Sequence, residues 1–485
     1  MKRLLFILAI TTVSCSKDFL DTKPFAQIDA ASAFSTPERV EAAMNGLYDL
    51  ITTSTYNTQA SLTSDVKGGD LLVVSTGNYN RFVTEYQYLQ SPTAGYGGGF
   101  FTGGYKLITN TNVAITELPK STTLSEATRK DFLAEARALR AWAYLQLVRQ
   151  FAQPFSVDPA SQGIPVVDKV LGPNDKIPER GTVKDDYDFI LADLLFAKEN
   201  ISTTRSHGVG RMTINVVNGL LARVYQDMQI WDKSVEHAKL ARAATPTNPA
   251  GFPLPAGSVL LNGFVDKTPE WIWTLVYRSD DNTGYVQIAS FLDPYDIGYS
   301  TFRATKTFLD LFADADIRKK QFFVNKAMVG GAAGNPLQRD EIMFSRDGYL
   351  INKFLFRGSW DLNVPMIRSA EMYLIEAEGE SEQGHDALAQ DALFEVQKRA
   401  ITGAVKSVNT GAALKLEIRN ERRKELFGEG FRLYDLTRKK ETLVRAAPDH
   451  WKAITLAPGD YRNILPIPRS EIDVSGMKQN TGYPQ

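Results

Sequence analysis

"NVVNGLLARVYQDMQIWDKSVEHAKLARAATP", residues 215–246, carries the spacing on which the fold turns. Small residues recur at Ala222, Ser234 and Ala241, an aromatic stands at Tyr225, and Pro246 closes the run. Residues three and four apart share one face of a helix. The small residues therefore predict two antiparallel helices that approach closely, with Tyr225 filling the groove between them.

That spacing resembles one unit of the tetratricopeptide repeat, whose period is about 34 residues. A second unit begins at "RSAEMYLIEAEG" (368–379), with Ala370 and Tyr373 in the same relation. Its connecting loop, "GESEQGHDA" (379–387), is longer than the repeat allows. Two imperfect units do not make a regular solenoid. They predict stacked helical hairpins around a continuous core.

Other helices follow from periodicity. "STPERVEAAMNGLYDLI" (35–51) has Ser35 or Thr36 as its cap and Pro37 in the first turn. Its apolar residues Val40, Ala43, Met44, Leu47 and Leu50 repeat at helical intervals. Further helices are predicted over 105–118, 125–151 and 183–201, with Pro154 stopping the second. Residues 52–104 break the pattern and read as loops, including the glycine-rich "GYGGGFFTGGYK" (95–106) with Phe100, Phe101 and Tyr105 exposed. Between 250 and 365, "EWIWTLVYR" (270–278) and "GYLINKFLFRGSW" (348–360) suggest short strands. "LKLEIRNERRKELFGEGFRLYDLTR" (414–438) reads as a charged helix broken at Gly428–Gly430.

The charges nearly cancel, 55 Lys and Arg against 56 Asp and Glu, so nothing points to nucleic acid or an anionic membrane surface as a partner. A single cysteine excludes an intramolecular disulfide and any zinc site built on several thiolates. The histidines, His207, His237, His385 and His450, lie far apart and read as surface or capping residues. No metal site and no cofactor is expected.

The lone Cys15 lies in "LLFILAITTVSCSKDFLD" (4–21). Lys2 and Arg3 precede a seven-residue apolar run, Leu4 to Ile10, and small and polar residues follow. This is the layout of a secretory signal, far short of the roughly 20 apolar residues that span a bilayer. Cys15 stands after Thr12-Val13-Ser14, where a bacterial lipobox places the residue that is diacylated, although Thr12 replaces the usual leucine. Residues 1–14 are then the signal peptide, and 15–30 a lipidated N-terminus and tether.

Motif-bound catalytic signatures are missing, while paired carboxylates for glycoside hydrolysis stay open, because the spatial separation of 56 acids is not readable from sequence. The glycine-rich run lacks phosphate-loop spacing, and no GxSxG elbow occurs. The acidic clusters Ser279–Asp281 and Asp314–Arg318 serve as caps and loop solvation. Asp65–Asp70 lacks the full calcium-loop pattern. The aromatic loops are more suggestive. Sugar rings present apolar C–H faces that stack on aromatic rings, while Asn and Arg bond the hydroxyls. Two stretches fit: Tyr79, Asn80 and Arg81 with Tyr96, Phe100 and Phe101, and Tyr285, Tyr295 and Tyr299.

Several blocks in order resemble the SusD/RagB family of outer-membrane nutrient-binding lipoproteins. They are "CSKDFLDTKP", the run of Tyr105, Ile108 and Asn112, "AEARALRAWAYLQLVRQF", "RSAEMYLIEAE" and "LPIPRSEID…QNTGY". The block at Glu421, Arg422, Glu425, Leu426, Glu429, Gly430, Arg432, Asp435, Leu436 and Arg438 is the most specific. The resemblance implies a mostly α fold: four tetratricopeptide-like hairpins in a superhelical scaffold, decorated with long loops and a few short strands. Residues 31–485 would form one domain, with loop insertions at about 52–104 and 250–365. It also implies a lipid anchor at Cys15 on the outward face of the outer membrane and a SusC-like TonB-dependent transporter as partner. The ligand is an oligosaccharide, or in some members a peptide, and the protein is not an enzyme. A secreted glycoside hydrolase and a purely structural adaptor are the rival readings. The family's ligand site falls among loops matching the two aromatic stretches, with Phe100 and Phe101 where many members carry tryptophan. The charged block near the C-terminus reads as scaffold.

Overall fold

The computed structural model describes residues 30–484, apart from 54, 206–207, 294–297, 324–347 and 356–357. Cys15, the signal segment, His207 and Tyr295 lie outside the described residues.

Helices dominate: α1 (Pro37–Ile51), α2 (Ser61–Gly68), α3 (Gly97–Glu117), α4 (Glu126–Phe151), α5 (Val183–Asn200), α6 (Ile214–Asp227), α7 (Trp231–Ala241), α8 (Ser369–Glu382), α9 (Asp386–Ala400), α10 (Gly411–Glu425) and α11 (Arg432–Arg438). Four of them start on a side-chain cap. Thr36 accepts the Arg39 N–H, Ser125 caps α4, Thr213 caps α6, and Thr182 with Asp185 forms a capping box on α5.

The hairpins are α4 with α5, α6 with α7, and α8 with α9, and α1 packs on α3 beside them. The α6–α7 pair is built as the spacing requires. Ser234 Oγ donates to the Ala222 carbonyl at 3.0 Å, and both residues are fully buried. Tyr225 stacks on His237 with ring centroids 5.5 Å apart. Neighbouring hairpins are tied by buried charge: Arg223 Nε donates to Glu371 at 2.6 Å and Gln226 to Glu378 at 2.7 Å. The α8–α9 connection is shorter than its sequence suggests, because α8 continues through Gly379 to Glu382 and the chain turns at Gly384 (φ 80°). The short strands β1 (Leu71–Val73), β2 (Trp271–Leu275), β3 (Phe302–Ala304) and β4 (Val364–Arg368) pair antiparallel, β1 with β3 and β2 with β4.

Residues 52–104 are not loops throughout. They contain α2, a short helix at Val83–Gln87, and the start of α3 eight residues before the periodicity shows it. Gly104 serves packing. A Cβ on Gly104 would stand 2.8 Å from Leu147 Cγ, so α3 and α4 meet where only hydrogen fits. Phe100 and Phe101, each 2% exposed, turn inward and edge against Tyr56 and Phe151. Tyr105 is half-buried, and its hydroxyl donates to the Pro165 carbonyl at 2.7 Å.

Two histidines also depart from expectation. His237 and His450 are buried, not surface residues, and each ring finds a hydrogen-bond partner inside. His237 Nδ1 meets Asn218 Oδ1 at 2.8 Å, and His450 bonds Tyr86 and the Gly69 carbonyl. His385 stands at the cap position of α9, as expected.

The charged block is scaffold. Glu425 accepts Arg318, Arg368 and Arg399 at 2.6 Å each. Burial alone would raise its carboxyl pKa, but those guanidiniums hold it well below the usual carboxylate range. Glu429 takes Arg368 and Lys353. Asp65 accepts the N–H groups of Gly430 and Arg432, while Asp70 pairs with Arg423 and Arg432. Both carboxylates of the calcium-like pair are therefore committed to protein donors.

Candidate functional site

Tyr79 and Tyr299, one in each aromatic stretch, are more than 200 residues apart in the chain, and the β1–β3 ladder joins their segments. Val73 pairs with Phe302, and Val74 N–H donates to the Thr301 carbonyl at 2.9 Å. The loop after β1 therefore lies beside the segment before β3.

That loop is held in an unfavourable backbone. Tyr79, Asn80 and Phe82 have φ of 52°, 56° and 56°, in the left-handed region. Non-glycine residues there cost about 1–2 kcal/mol each. Local bonds secure the turn: Asn78 Oδ1 accepts Asn80 N–H at 3.0 Å, and its Nδ2 donates to Val74. The turn drives Phe82 into the core and leaves Tyr79 66% exposed. Strain of this kind persists where surrounding structure fixes it and often marks a functional site.

Tyr79 meets Tyr299 edge-on at 5.6 Å. The Arg81 guanidinium lies 4.7 Å above the Tyr299 ring and donates to its hydroxyl at 2.8 Å. Tyr299 stacks on Phe291 at 5.1 Å, and Phe82 packs on Tyr96, Phe291 and Phe302 beneath. Tyr96 is locked from behind, its N–H donating to Glu85 Oε1 at 2.8 Å. Burial works against the Arg81 charge, yet bonds with the Tyr96 and Tyr299 hydroxyls outweigh it and raise the Arg81 pKa above its ordinary value. Burial raises the Tyr96 phenol as well. At neutral pH the cluster presents a fixed cation, the neutral Tyr96 phenol and an open ring: a stacking face with donors beside it.

Of the residues expected from sequence, Tyr79, Asn80, Arg81, Tyr96 and Tyr299 converge here. Phe100 and Phe101 do not, because both belong to the α3–α4 core. Tyr285, 47% exposed, pairs instead with Trp360 at 4.6 Å, edge to face. Sequence reasoning missed Trp360 and also Trp451. The Trp451 indole N–H donates to the Val73 carbonyl at 2.7 Å, while its ring remains 40% exposed at the foot of the Tyr79 loop. The signal available was a tryptophan amid polar residues in "PDHWKA" (448–453).

The family described as "Starch-binding associating with outer membrane" matches residues 18–226, and the "SusD family" matches residues 331–483. The chain belongs to the SusD-like family. A SusD-like protein of Bacteroides ovatus is 29% identical over 238 residues, which is 48% of this chain but only 40% of that relative. Among solved structures, a putative sugar binding protein of Bacteroides vulgatus superposes with TM-score 0.79 at 25% identity, covering 93% of this chain and 100% of that one. A SusD superfamily protein of Bacteroides thetaiotaomicron gives TM-score 0.81 at 24% identity over the same 93%, which bears on fold alone. The mostly helical, tetratricopeptide-like scaffold of this SusD-like chain is thus a family property, on which the Tyr79–Tyr299 cluster is mounted. Among the described residues no helix is long and apolar enough to cross a membrane.

Proposed function

We propose that the chain is a cell-surface nutrient-binding lipoprotein that captures oligosaccharides by aromatic stacking and carries out no chemistry on them. In this reading it is anchored to the outer membrane through Cys15 and passes its ligand to a SusC-like TonB-dependent transporter. The observation that carries the reading is the exposed Tyr79 ring on a strained turn, with Arg81 and Tyr299 beside it. A sugar face stacks on the ring while the guanidinium donates to hydroxyls, and binding is modest because the face is open and wet. Two comparisons support it: the starch-binding, outer-membrane description of the family matching 18–226, and the sugar-binding description of the Bacteroides vulgatus protein.

The test is affinity electrophoresis through a panel of neutral and acidic polysaccharides. Tyr79→Ala should weaken retention by about tenfold, the equivalent of about 1.4 kcal/mol, with Arg81→Ala and Trp451→Ala also reducing it. Retention by wild type that none of the three alters would remove the site. Release of reducing ends from a retained polymer would remove the non-enzymatic reading.

A further inference from the structure

A recess of about 630 Å³ opens between α10, the end of α8 and the Lys439–Glu441 segment, with Trp231 at its rim. It shares no residue with the aromatic cluster. Four cations, Lys415, Arg419, Lys439 and Lys440, line it against two carboxylates, Glu382 and Glu441. Glu382 is divided between Lys415 at 2.6 Å and Lys439 at 2.5 Å, and Glu441 is engaged by Arg419. The recess therefore carries more positive than negative charge.

It deepens into a chamber of about 20 Å³ that shares Glu382, Lys415, Arg419 and Lys439 with the outer recess. The inner wall does not correct the imbalance. Arg438 is taken by Glu378 and Asp435, while Arg423 and Arg432 share the single carboxylate of Asp70. Three wall residues keep a buried polar atom without a hydrogen bond; one is Arg432, whose Nε still lies 2.9 Å from Asp70 Oδ2. Arg422, 5% exposed, uses Nε on Asp435 at 2.7 Å and leaves Nη1 unbonded. Ser381, 2% exposed, leaves its Oγ unbonded. A guanidinium nitrogen can only donate, so Arg422 calls for an acceptor. Water would satisfy that geometry and leave the charge uncompensated; an anion answers both, through charge-assisted bonds.

We propose that this recess is an oxyanion site. One oxygen of a carboxylate or sulfate group enters the chamber and accepts from Arg422 Nη1 and Ser381 Oγ. The remainder of the ligand lies in the outer recess between Lys415 and Arg419, against the apolar Leu416 and Trp231. The site stands independently of the glycan-stacking reading. The same chemistry fits a free inorganic anion or an acidic group borne on a saccharide chain.

Isothermal titration of the full chain at constant ionic strength, with sodium sulfate in one arm and oligogalacturonate in the other, tests it. One-site saturable binding is expected. The Lys415→Gln/Arg419→Gln double variant, altered at the open rim, should weaken it at least about fivefold. Ser381→Ala should weaken it about twofold to fivefold with no change of charge. Tighter binding of the oligomer, reduced by Trp231→Ala, assigns the site to an acid-bearing chain; equal affinity assigns it to the free anion. No saturable binding in either arm, or affinity indifferent to both the rim and Ser381 variants, overturns the proposal.

Discussion

Substituting Gly104 by alanine tests whether the glycine-rich stretch packs or merely loops. In an open loop the change would be neutral or slightly stabilising. In an exposed helix it would add about 1 kcal/mol of helix propensity. Here the new methyl would stand 2.8 Å from Leu147 Cγ and Cδ2 and 2.9 Å from Cδ1. Ordinary contact needs several tenths of an ångström more, and Leu147 is fully buried near the C-terminal end of α4, so it has no free space to enter. Overpacking of this kind costs about 1–3 kcal/mol. Less the propensity gain, Gly104→Ala should lose up to about 2 kcal/mol. Leu147→Ala alone should lose about 2–5 kcal/mol by opening a cavity. The two together should lose less than their sum, by about 1–2 kcal/mol, because the alanine methyl at 104 fills part of the space vacated at 147. Urea denaturation followed by far-ultraviolet circular dichroism measures all four proteins. A Gly104→Ala protein at least as stable as wild type, or strictly additive losses, would refute the close approach of α3 and α4.

Glu425→Gln should lose about 3–5 kcal/mol, since it removes the carboxylate that three buried guanidiniums share and leaves them only Asp316, Glu421, Glu270 and Glu429; a urea midpoint within error of wild type would show that those four carboxylates suffice for Arg318, Arg368 and Arg399. Acid stability should depend on His237 and His450, whose pKa values burial lowers to about 4 from 6.5, with Lys198 beside the first and Arg445 beside the second adding to the effect. The unfolded chain takes up these protons near 6.5 and the folded one not until about 4, so stability should fall as pH drops through that window. His237→Gln should flatten the fall, and an unchanged pH profile would rule the buried imidazole out as its source.

Much of the fold was legible. Ala222, Ser234 and Tyr225 announced the α6–α7 hairpin because close helix packing leaves a regular trace of small residues at fixed intervals. The break at Gly428–Gly430 was equally readable, since both glycines adopt the left-handed backbone (φ 78° and 86°). The start of α3 was hidden. Glycine is a poor helix former, and only the neighbour Leu147 explains why it is needed there. His237 was misread for a related reason: a lone histidine carries no sign of whether an Asn218 and a Tyr225 await it.

The helical scaffold and its family could be read along the chain, because helix periodicity, capping and close packing are encoded within stretches of some tens of residues. The sequence also supplied the candidate aromatic residues. Which of them work together depends on contacts made in three dimensions. Tyr79 and Tyr299 meet because the β1–β3 ladder closes across more than 200 residues, and Phe100 and Phe101 turn inward because a neighbouring helix lies against theirs. An aromatic side chain is equally at home in a core and on a binding face; burial separates the two, and burial is a property of the assembled fold.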